Sequence, residues 1–121
     1  MERDYSKAGQ RPFTEVYGSV RDARAAVYSL DLPDDLAERA ALVVTELAAN
    51  ALLHAGGMLY ARLWYGGAGV RVEVADPSEA RPELADDGAT SGRGLRIVSA
   101  MATSWGTDLR PGGKVVWAEL E

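Results

Sequence analysis

Three side chains of one segment are spaced to do chemistry together. In "VVTELAANALLHAGG", Glu46, Asn50 and His54 recur every fourth residue. On an α-helix that spacing sets a carboxylate, an amide and an imidazole in one line. A carboxylate can take a proton, and an amide oxygen is a hard donor for a cation such as Mg²⁺. The line runs along the edge of an apolar stripe, where a helix flank meets a cleft. On the helix alone, the commoner reading of such a line is a solvated flank whose terminal histidine favours the helix dipole. Two further features carry polar chemistry. Asp76 closes the valine-rich run "VRVEVAD", where a carboxylate either forms a turn or accepts from a ligand at the floor of a pocket. "GRGLRIV" sets Gly92 and Gly94, with Arg93 between them, ahead of an apolar helix. Backbone N–H groups there can approach phosphate oxygens with no Cβ in the way.

Those residues need elements to position them. The helix carrying the polar line is expected over residues 31–57. Pro33 falls in its first turn, Asp34 and Asp35 at the positive end of its dipole, and Gly56 and Gly57 at its close. Leu36, Ala40, Val43, Leu47 and Ala51 form its apolar stripe. A shorter helix over 20–29 follows Ser19 as N-cap. A first strand is expected in "RPFTEVYG", with Phe13 and either Val16 or Tyr17 turned inward. "MLYARLWY" and "VRVEVAD" alternate as strands around a turn made by Gly66, Gly67 and Gly69. Residues 77–91 have no apolar period and read as a long functional loop, a lid in waiting. A helix then begins at the glycines. "SWGTDLR" and "KVVWAEL" are strands joined by Pro111, Gly112 and Gly113. Hairpin-joined strands with grouped helices predict an α+β, two-layer sandwich: a mostly antiparallel sheet covered on one face by helices.

Composition bounds the rest. The 121 residues suffice for one domain, expected over 12–121 after a disordered tail at 1–11, and 47% are hydrophobic. A net charge of −5 argues against nucleic acid or an anionic membrane as partner. There is no cysteine and one histidine, which leaves no Cys- or His-rich metal site. No secretory signal or spanning stretch is seen, so a cytoplasmic protein is expected.

In this order, the E-x-x-x-N helix, the strand ending in Asp, the loop, the G-x-G-L helix and the final "GGKVVWAEL" resemble one family. The chain is similar to the Bergerat-fold (GHKL) ATPases, the superfamily of gyrase, heat-shock chaperones and histidine kinases. It looks most like their small stand-alone members, the anti-sigma-factor serine kinases of bacterial partner switching. The resemblance runs from about Phe13 to Glu121. It implies ATP and Mg²⁺ as cofactors, with Glu46 as general base and Asn50 as Mg²⁺ ligand. Asp76 would accept from the adenine amino group, Gly92, Arg93 and Gly94 would lie at the phosphates, and Leu95 and Val98 would pack near the nucleotide. His54 would act either beside the site or as a structural residue. The implied partners are a sigma factor or an anti-anti-sigma protein, and a homodimer is compatible with the resemblance. The alternative is a non-catalytic binding protein of the same fold. A histidine kinase is set behind both, since no helix pair with a phosphoacceptor histidine precedes the domain. Two departures stand out. "DPSEARP" lacks the glycines that usually follow the adenine-binding Asp. Val115 stands where the last strand often has a threonine, expected to support the adenine site.

Overall fold

The computed structural model describes residues 13–55, 59–66, 69–78 and 90–121. Strand β1 (Phe13–Gly18) leads into helices α1 (Val20–Tyr28) and α2 (Asp34–Ala55), followed by the hairpin β2 (Leu59–Gly66) and β3 (Gly69–Asp76). Helix α3 (Thr90–Met101) and the hairpin β4 (Ser104–Arg110) and β5 (Gly113–Leu120) complete the chain. The five strands form one antiparallel sheet in the order β1-β2-β3-β5-β4. The three helices cover one face, which makes the fold the expected α+β two-layer sandwich.

The period-2 pattern of the strands decides which residues meet the helices. Val70, Val72 and Val74 of β3 and Val116, Ala118 and Leu120 of β5 share the covered face, and all are buried. Leu59, Ala61 and Leu63 extend it across β2. Helix α2 lays its stripe onto this surface, with Leu36, Ala40, Val43, Leu47 and Ala51 all buried. In β1 it is Val16 that is buried, while Tyr17 is 64% exposed and stacks on Tyr60 with ring centroids 4.6 Å apart. Neighbouring residues of a strand point to opposite faces, so only one of the two could be inward.

The other face of the sheet is held by charge and aromatic contacts. Glu73 takes Arg62 at 2.8 Å and Arg71 at 2.9 Å, and Arg71 also reaches Glu119 at 2.7 Å. Each arginine lies over an indole, Arg62 on Trp64 and Arg71 on Trp117, at 4.9 and 4.5 Å from the ring centroids. Trp117 in turn lies across Gly106, where a Cβ would come within 2.8 Å of the ring.

Local chemistry sets the ends of the elements. Ser19 caps α1 in a reciprocal box with Asp22. Asp31 adopts φ 58°, a left-handed conformation that aspartate tolerates, so α2 starts at Asp34 and not at residue 31. Between β4 and β5, Pro111 and Gly112 sit at the turn centre with Gly112 at φ 79°, the type II requirement for which proline and glycine are suited. The glycine turn expected around 67–68 lies partly outside the described residues, as does most of the loop expected over 77–91.

Candidate functional site

Helix α2 carries Glu46 and Asn50 one turn apart, both half-buried at the flank of its buried stripe. Helix α3 crosses that flank. Its Gly94 is buried, and a Cβ there would lie 2.9 Å from Glu46 Oε2, 3.6 Å from Glu46 Cβ and 3.7 Å from Asn50 Nδ2. The structure therefore brings together the carboxylate, the amide and the glycine that the sequence singled out separately. A glycine inside a helix costs roughly 1 kcal/mol relative to alanine. Close approach to Glu46 gives the reason for it here.

The helix start differs from expectation. Thr90 begins α3, so Gly92 and Gly94 lie within the helix and do not precede it. Glycine propensity argues for a later start. Burial of Gly94 against α2 offsets that preference, because the absent Cβ lets the two helices approach. Leu95 and Val98, on the following turn, are fully buried, and Val98 belongs to the main core. His54 lies on α2 and Arg93 on α3, but their side chains fall outside the described residues.

Asp76 shares the covered face with Val72 and Val74. It lies at the sheet end reached from α2, since Leu59 begins β2 only four residues after Ala55 and sits one step beyond the Tyr60–Ala75 pair. Asp76 is not a lone acceptor. Its Oδ1 accepts the Ser78 N–H at 2.8 Å, and its Oδ2 lies 3.3 Å from Lys114 Nζ. Lys114 also donates to the Ser78 carbonyl at 3.2 Å. Both side chains of the ion pair are only 3% exposed. Gly113 permits the arrangement: a Cβ there would fall 2.5 Å from the Asp76 carbonyl oxygen and 3.1 Å from Pro77 Cα.

The register also moves the Val115 expectation. Lys114 stands opposite Asp76, and Val115 stands opposite Ala75. Residues paired across strands share a face, so Val115 lies on the side of the sheet away from Asp76. Val115 lines an open groove of about 480 Å³ at this end of the sheet, together with Tyr60, Ala75, Asp76, Pro111 and Lys114. The residue beside Asp76 is Lys114, which sequence reasoning passed over. The signal was present: in "KVVWAEL" the lysine shares the parity of Val116, Ala118 and Leu120, a charge in register with a buried face.

The donor set suits a metal bound through a ligand. Among the described residues no cluster of three His, Cys, Asp or Glu side chains could hold a metal by itself. One amide oxygen from Asn50 fits Mg²⁺, which commonly takes one or two protein ligands and completes its shell with phosphates and water. No helix of the described residues is long and apolar enough to cross a membrane.

The chain belongs to the histidine kinase-like ATPase domain family, whose family model matches residues 14–120. The match spans every described element except the first residue of β1. No curated relative matches the chain. Membership in a family of ATPase domains supports nucleotide binding as the general activity of this fold.

Proposed function

We propose that the protein is an ATP- and Mg²⁺-dependent protein serine kinase acting as a cytoplasmic anti-sigma factor in a bacterial partner-switching system. Its partners would be a sigma factor and an anti-anti-sigma protein. The observation that carries this reading is the meeting of Glu46, Asn50 and Gly94, in a chain of the ATPase family. Asn50 would hold Mg²⁺, which when bound neutralises charge on the phosphates. Asp76 would accept from the adenine amino group. The partner's serine hydroxyl gives its proton to the Glu46 carboxylate. Its oxygen bonds to the γ-phosphorus as the bond to the bridging oxygen breaks, and ADP leaves. A base one helical turn from the metal ligand suits that step, because proton and phosphoryl group must be met together.

Glu46→Gln and Asn50→Ala test the roles apart. The amide at position 46 keeps the shape but is a very poor base, so transfer to a serine-bearing antagonist should fall by about 10²–10⁴-fold with Mg·ATP affinity little changed. Asn50→Ala should weaken Mg·ATP binding itself in calorimetric titration. No binding by the wild type at millimolar Mg·ATP would overturn the kinase reading.

A second reading rests on the Asp76–Lys114 pair. Because each Asp76 oxygen already has a partner, a non-catalytic protein that only sequesters its partner is the alternative. Failure to bind nucleotide, with partner binding retained, would favour it.

A further inference from the structure

The sheet ends in β1 on one side and β4 on the other. Edge strands are commonly blunted by a proline, a lysine or a bulge. β4 reads "SWGTDLR", contains neither residue, and pairs one-to-one with β5 from Ser104 to Arg110. Among the described residues no strand lies along its other side. The turn at Pro111 and Gly112 fixes which groups point there. Arg110 and Gly113 flank that turn and form its closing backbone hydrogen bonds, so by alternation Asp108, Gly106 and Ser104 also address β5. Trp105, Thr107 and Leu109 therefore direct their N–H and C=O groups away from the sheet. In keeping with this, the Leu109 carbonyl accepts from the side chain of Arg110 at 3.3 Å. Leu109 is itself 47% exposed, on the face that the helices cover elsewhere.

We propose that β4 pairs antiparallel with β4 of a second copy of this chain, about a two-fold axis through Thr107, joining the two sheets into one. Residues directly opposite in a sheet share a face, so the axis must pass through a residue. Centred on Thr107, every residue of β4 finds a counterpart, and the outward groups meet each other. Thr107 exchanges both backbone hydrogen bonds with its own copy, and Trp105 does so with Leu109. The half-exposed leucine then packs on an indole, and the threonines form a cross-strand pair. The charges agree as well. Asp108 falls opposite Gly106, and Arg110 opposite Ser104, whose hydroxyl lies 3.5 Å from the Glu119 carboxylate. The guanidinium of one copy thus approaches a carboxylate of the other. Centring on Asp108 would oppose two carboxylates, and centring on Gly106 would leave Leu109 and Arg110 unmatched within the strand. β1 offers no equal: centring on Glu15 opposes two carboxylates, and centring on Val16 leaves Phe13 unmatched. Both helix layers, and with them both Glu46–Gly94 contacts, lie on one side of the joined sheet.

The test reads mass and cross-linking on the full chain without nucleotide, so its result is separate from that of the kinase reading. Light scattering at high micromolar concentration should give twice the chain mass for the wild type. Thr107→Pro removes an outward N–H and leaves the bonds to β5, so it should give the monomer. The chain has no cysteine, so single thiols can be placed without competition. Thr107→Cys should be joined to its own copy by a short bis-maleimide linker, because the axis sets the two residues opposite each other. Ser104→Cys should not be joined, because its counterpart lies near the far end of the paired strand. The cysteine variants and the wild type decide the matter even if Thr107→Pro folds poorly. A monomeric wild type would overturn the proposal, and so would a dimer that does not link through Thr107→Cys.

Discussion

Gly94→Ala adds one methyl group at the contact between α3 and α2, and the structure gives the terms of its effect. Alanine is worth about 1 kcal/mol over glycine inside a helix. Against this, the methyl would sit 2.9 Å from Glu46 Oε2, closer than real Cβ contacts allow, while Glu46 Cβ and Asn50 Nδ2 lie at ordinary contact distances of 3.6 and 3.7 Å. The crowded atom is the tip of a half-buried, rotatable side chain, so it can swing aside at a cost of about 0.5–1.5 kcal/mol. The two terms nearly cancel. Stability should change by no more than about 1 kcal/mol, a Tm shift of only a few degrees for a domain of this size. Activity should respond differently, because the group displaced is the proposed base. A misplacement of about 1 Å can cost roughly 10²-fold in rate. The assay pairs a thermal melt with a timed phosphotransfer measurement to the serine-bearing antagonist at saturating Mg·ATP. Transfer at the wild-type rate would refute the argument that Gly94 sets the Glu46 carboxylate. A loss of more than about 10 °C in Tm would show instead that the contact is mainly structural packing.

Two other outcomes follow from packing and capping. Leu63→Ala, at a fully buried position between sheet and helices, should cost about 2–5 kcal/mol in denaturant unfolding, and a loss below 1 kcal/mol would contradict the described core. At the start of α1, hydrogen bonds from the Ser19 backbone and hydroxyl hold the Asp22 carboxyl below its usual value of 3.8. A depressed carboxyl stabilises the fold above its unfolded pKa, and that contribution is lost as pH falls from about 3.8 through the lower folded value. Comparing acid titrations of wild type and Asp22→Asn should therefore show a difference in pH dependence confined to this acidic window. Identical pH dependence in both would argue against the capping box.

The elements were largely legible in the sequence because their signals are local. The stripe from Leu36 to Ala51, the alternating valines of β3, the Ser19 cap and the Pro111-Gly112 turn each depend on neighbours within a few positions. The α+β class followed from their order, and the polar line on α2 came from helical spacing alone. What the sequence did not determine depends on contacts between distant segments. Helix α3 continues through Gly94 because that residue is buried against α2, a contact that offsets glycine's poor propensity. The approach of Gly94 to Glu46 joins residues far apart in the chain, and no periodicity reports it. Sheet order inserts β5 between β3 and β4, and only that pairing sets Lys114 against Asp76 and turns Val115 to the opposite face. Alternation along a strand says which residues share a face. Which strand lies alongside, and in what register, is decided by tertiary packing, and here that register turns an aspartate at a strand end into half of a buried ion pair.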